Sequence, residues 1–370
     1  MPTNRLRTLA GCLALSAALS ACGGDGPTQP PPSLAVSATG RLERGSTLTV
    51  AVSNAGAALT PGQVVLSFAP AGAAQNLGDG SIRLLAAGHL TITATSGSLV
   101  GNTEIDVAAP PVVVFDRLTG GNRDIWKVDL DGQNLTQLTT DVGDDQDPTA
   151  VKGTVVFVSY RGGNGDLYSI PLAGGATTRL TTTARDETTP SLSGDGTKLA
   201  FSYVPTDVTK IFTSASNGTG ATRLVPGTGA EVIETAPTWT PGGAVAYVST
   251  ASGSADIVQA TAGGAPTVLA GSSAADVEPA WSADGQTLGF VSNRSGTVEI
   301  FLLKGGVTTQ LTSGAGSKFN PTFTPDGRVV YVELVSGVTR LKWVDPANPA
   351  IVTTIDTGAG TVGHPSVNLP

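Results

Sequence analysis

The chain is short of the residues on which most site chemistry depends. Its 370 residues include two cysteines and two histidines, and only 14% are charged and 5% aromatic. Cys12 lies inside an N-terminal apolar run and Cys22 ends it. Loss of that run would leave one cysteine, which excludes an internal disulfide and a cysteine-based metal centre. His89 has no second ligand candidate near it in sequence and reads as a loop or strand-edge residue. His364 has only acids for company, so no metal and no cofactor is expected. The formal net charge is −8, and about −10 once Arg5 and Arg7 are set aside with the leader. An acidic, aromatic-poor chain is ill suited to a phosphate backbone, which excludes nucleic acid as a partner. What is abundant is glycine, at 48 residues, with many Ser, Thr, Val and Ala. That mixture favours strands joined by tight turns over helix bundles.

Residues 1–21 combine Arg5 and Arg7 with an apolar run from Leu9 to Ala21, the parts of a secretory signal. The run is too short and too rich in alanine for a membrane-spanning helix. It ends Leu19-Ser20-Ala21-Cys22, which resembles the lipobox of bacterial lipoproteins. The resemblance implies cleavage before Cys22 and acylation of that residue, a stable membrane anchor when two or more chains are attached. Residues 22–32, rich in glycine and then proline, read as a tether.

From 33 to 108 apolar residues alternate, as in Leu48, Val50 and Val52 or Leu90, Ile92 and Ala94, with glycine-bearing turns between. This pattern predicts a small β-sandwich. The stretch Gly80–Ala94 resembles the second half of bacterial immunoglobulin-like domains, which implies a spacer or adhesion module.

From residue 112 the chain repeats. Pro148, Pro190, Pro237, Pro279, Pro321 and Pro365 are spaced 42, 47, 42, 42 and 44 residues apart. Each stands two residues before Ala150, Leu192, Trp239, Trp281, Phe323 or Val367. Turns such as Asp195-Gly196, Asp284-Gly285 and Asp326-Gly327 follow, then three further strand patterns. Four strands per period in the forties predict a propeller blade. Pro279-Ala-Trp-Ser-Ala-Asp-Gly285, Ser292-Asn-Arg-Ser-Gly296 and Gln310-Leu-Thr312 resemble the PD40 repeats of TolB-like propellers. The expected fold is all-β: a six-bladed β-propeller over 112–370 after a small immunoglobulin-like sandwich. Residues 112–139 lack a proline strand and 364–369 are one with nothing after it, so the two should complete one blade. Trp239, Trp281 and Phe323, at one repeat position, are expected to pack blade against blade.

The loops leading into the proline strands share a face with those between second and third strands. Three residues before the prolines stand Asp145, Glu187, Glu234, Asp276, Lys318 and Val362. One residue before them stand Asp147, Thr189, Ala236, Glu278, Asn320 and His364. Asp145, Asp147, Glu187, Glu234, Asp276, Glu278, Asn320 and His364 are thus candidates for a polar channel mouth that grips a basic peptide, a cation or a sugar. Arg117, Arg123, Arg161 and Arg294 fall on the same face and offer pairing instead.

The TolB-like resemblance implies a non-catalytic platform for another envelope protein or peptide, anchored through Cys22 and facing the periplasm or cell surface. The alternative is a carbohydrate-active enzyme using mouth carboxylates. Against it, the sequence has neither a sialidase-type Asp-box nor a Gly-x-Ser-x-Gly elbow.

Overall fold

A computed structural model describes residues 33–205 and 207–370. The leader, the tether and Cys22 lie outside them. The chain divides into two compact units. Of the described residues, the smaller holds those up to 40 with 47–83 and 89–105, and the larger holds 106–370 with the short segments 41–46 and 84–88. Among the described residues no helix is long and apolar enough to cross a membrane.

The smaller unit is built from two antiparallel sheets. One runs Leu34–Thr39, Thr47–Asn54, Ser81–Leu84, Ala74–Asn76, with Ala57–Ala58 also paired to Thr47–Asn54; the other runs Val65–Ala69, Gly88–Ser96, Leu99–Val107. The period-two pattern works as it must in half-buried strands: Leu48, Ile82, Leu90, Ile92 and Ala94 are at most 1% exposed.

The larger unit contains six four-stranded antiparallel sheets, the blades of a propeller. Their inner strands are Asp145–Val151, Glu187–Leu192, Glu234–Trp239, Asp276–Trp281, Ser317–Phe323 and Thr361–Val367. The last pairs with Val112–Thr119, so one blade joins the two ends of the repeat region. Core clusters lie between blades. Ala200, Ile211 and Leu224 of one pack against Val245, Tyr247 and Val258 of the next, with Trp239 between them. Trp281 and Phe323 occupy the equivalent clusters one and two blades on.

The repeat proline has one structural effect six times over. Every inner strand loses register with its neighbour across the X-Pro pair, as between Gln146 and Thr149 or Gly363 and Ser366. Proline cannot donate to the ladder, and a bulge absorbs the gap. The residue before each proline takes positive φ: Asp147 52°, Thr189 47°, Ala236 50°, Glu278 53°, Asn320 50° and His364 41°. Outside glycine such values are uncommon, and for a β-branched residue such as Thr189 they are strained. The bulges bring these six residues together around the axis of the ring, where with their prolines they line a neck of about 160 Å³.

Candidate functional site

The eight mouth candidates separate into two sets. Asp145, Glu187, Glu234 and Asp276 do not line an open mouth, and that expectation is corrected: each is at most 1% exposed. They start the inner strands, and hydrogen bonds to neighbouring loops and strands bury them. Asp145 accepts from Arg161 Nη2 at 3.2 and 3.1 Å, and Asp276 from Arg294 Nη2 at 2.7 Å on both oxygens. Glu187 accepts from Thr181 and Thr183, and Glu234 from Thr228 and the amide of Ile211. The arginines are fixed as well. Arg161 lies 4.5 Å over the Tyr168 ring and Arg294 5.2 Å over Phe290 and Phe301. The sixth blade reverses the sign: fully buried Lys318 meets Glu299 at 3.4 Å. The arginine pairs fix loops within their own blades, Glu234 and Lys318 reach the preceding blade, and none of the four acids is open to a ligand.

Asp147, Glu278, Asn320 and His364 form the second set, with Thr189 and Ala236 completing the neck. His364 Nδ1 lies 2.6 Å from Asp116 Oδ2 and 3.0 Å from Asp147 Oδ1. Asp116 also binds Arg123. Glu278 Oε2 accepts the amide of Asn320 at 2.5 Å, on the adjacent blade. Asp147 Oδ1 is buried and accepts no hydrogen bond.

Burial drives the electrostatics. It pushes the carboxyls of Asp147 and Glu278 above the usual carboxylate range. Burial acts on Asp116 in the same sense, but the hydrogen bond and charge of His364 and the charge of Arg123 outweigh it and hold that carboxyl low. Burial alone would lower His364. The hydrogen bond to Asp116 and the charges of Asp147, Asp116 and Glu278 instead raise it to about 9, so the imidazolium persists at neutral pH. Three carboxylates therefore face two cations.

Asp116 escaped the reading of the sequence. It sits in the apolar second strand Val112–Thr119, at the register position filled by Val158, Ser202, Val248, Val291 and Val332 in the other blades. Its partner there is Gly363, where a Cβ would come within 2.9 Å of Asp116 Oδ1. An acid in an apolar column, opposite a glycine, is the signal that could have found it. Asp116, Asp147 and His364 each offer one ligand atom within 4.8 Å of the others. His364 thus has two acids against one ring nitrogen, the kind of partner the sequence offered, and the trio could hold a metal ion only where the imidazolium gives up its proton.

The PD40 family model, a TolB beta propeller domain, matches residues 219–353. Comparison with curated proteins finds no match. Among solved structures, TolB from Acinetobacter baumannii is 16% identical with a TM-score of 0.65, covering 82% of each chain. A putative TolB from Agrobacterium tumefaciens is 19% identical with a TM-score of 0.54, covering 66% of this chain and 87% of its own. A puromycin-hydrolysing peptidase of Mycobacterium tuberculosis is 15% identical with a TM-score of 0.50, and the match spans 87% of this chain but 52% of that one. At these identities the likeness is one of fold. The chain is an all-β protein whose repeats build a propeller similar to that of TolB.

Proposed function

We propose that this chain is a non-catalytic, lipid-anchored protein of the bacterial cell envelope, and that its neck receives a basic side chain from another envelope protein or peptide. The observation that carries the reading is the pair of neck carboxylates, Asp147 and Glu278, half-buried, lining the channel and pushed above the usual carboxylate range by burial. Burial raises both carboxyls despite the contacts of Asp147 with His364 and of Glu278 with the Asn320 backbone amide, and a cation arriving from outside offsets that cost. Asp147 and Glu278 belong to opposite blades of the six, so a lysine or arginine head on the axis meets both. Protonated His364, held by Asp116, closes one side and orients Asp147. About 160 Å³ admits the end of one side chain and not a folded segment.

The envelope location rests on the Leu19–Cys22 lipobox and on the resemblance to TolB-like propellers, which implies an interaction platform. A photo-crosslinking residue in place of Asn320, in the full chain in its native envelope, should capture the partner. Peptides from the captured protein should then lose about tenfold or more in affinity for the Asp147→Asn, Glu278→Gln double variant. Equal affinity for the two proteins would refute the proposal.

A further inference from the structure

The opposite end of the channel opens into a wider cavity of about 550 Å³, within the size range of small-ligand pockets. The residues that follow the repeat prolines line it: Thr149, Ser191, Thr238, Ala280, Thr322 and Ser366. Five of the six carry a hydroxyl. Four of these oxygens accept an amide of an adjacent blade: Thr149 from Leu192 at 3.2 Å, Ser191 from Trp239 at 3.4 Å, Thr322 from Val367 at 3.5 Å, and Ser366 from Ala150 at 3.1 Å. Each bond fixes an oxygen and leaves the hydroxyl proton available to donate.

The wall also holds half-buried Trp239 and Trp281. The indole N–H of Trp239 donates to the Ser191 carbonyl at 3.1 Å, which locks that ring. Trp281 has no such latch, and its Nε1–H is buried without an acceptor. Its ring packs on the cluster of Ile257, Leu288 and Phe290 and lines the cavity from there. Among the described residues the ionic groups of the wall are Lys198, Asp195 and the carboxylate of the last residue, Pro370.

Fixed hydroxyls, tryptophan faces and little charge suit a guest with its own hydroxyls and an apolar ring face, and they do not suit a phosphate, a carboxylate or a basic peptide. We propose that this cavity is a binding site for a neutral oligosaccharide. It lies apart from the carboxylate neck and does not depend on the function proposed for that neck.

The test is titration of the full chain with chitotetraose and with cellotetraose, followed by tryptophan fluorescence. At least one sugar should give a saturable change below about 10 mM, insensitive to salt because no ion pair forms. Trp239→Ala should weaken binding about tenfold or more. Trp281→Phe and Thr238→Val preserve most of the packing and guard against a variant that fails to fold. Each should weaken binding by about threefold or more, while Asp147→Asn leaves it unchanged. Failure of both sugars to bind folded protein, or unchanged affinity in Trp281→Phe and Thr238→Val together, would overturn the proposal.

Discussion

His364 keeps its proton at neutral pH because Asp116 and Asp147 face the same ring nitrogen. Its folded-state pKa is raised from 6.5 to about 9. The stabilisation is therefore complete below about pH 6.5 and lost as pH rises through about 9. Melting temperatures measured from pH 6 to pH 10 should fall across that window. His364→Ala should remove that part of the fall; an identical pH dependence in the variant would show that the imidazolium contributes nothing. The side chain is 42% exposed, so solvent screening limits the effect. How much of the neck the sequence revealed also turns on this residue. Its own position, and those of Asp147, Glu278 and Asn320, followed from counting back from the prolines. Asp116 did not follow, because it arrives from a second strand about 250 positions away, brought there by ring closure. The pairing of Asp145 with Arg161 and of Asp276 with Arg294 was open in the sequence, which puts acids and arginines on one face; their complete burial was not.

At the scale of the element, the six proline bulges and the acids three residues earlier do different work. The bulges turn one residue per blade into the neck. Asp145 and Asp276 bind their strand starts to Arg161 and Arg294, and Glu187 and Glu234 bind theirs to threonines of the loops before them. Arg294→Ala should leave Asp276 buried and unpaired, at a cost of about 2 kcal/mol or more in chemical denaturation. A change within error would show that the pair is not structural. The inner strand Thr361–Val367 is the other critical element, since it alone pairs with the inner edge of Val112–Thr119. Truncation before Thr361 should expose that edge and cause aggregation or a large drop in melting temperature, whereas terminal residues outside a sheet are usually dispensable. A truncated protein that melts like the full chain would contradict this closure. The repeat was legible at this scale because proline, Asp-Gly turns and alternating strands leave chemical marks at a fixed spacing. The bulge was not, because a register shift depends on the neighbouring strand as much as on the proline.

For the whole molecule, the proposed anchor and the proposed binding site can be tested apart. Cys22→Ser should release the protein to the soluble envelope fraction or leave it unprocessed; a variant still processed and still membrane-bound would remove the lipid anchor from the account. The central claim concerns the strand-start and neck positions, two residues apart. Two blades carry a carboxylate at both positions, Asp145 with Asp147 and Asp276 with Glu278, and the two positions have opposite roles. The neck acids Asp147 and Glu278 are half-buried and line the channel, whereas Asp145 and Asp276 are fully buried against Arg161 and Arg294. Thermal melting of two double variants tests this directly. Asp147→Asn with Glu278→Gln should melt at or above the temperature of the unaltered chain, since burial already pushes both carboxyls above the usual carboxylate range and neutralising them relieves that desolvation. Asp145→Asn with Asp276→Asn should melt well below it, because Arg161 and Arg294 lose their partners. The opposite order, with the neck variant destabilised and the strand-start variant unaffected, would contradict the account.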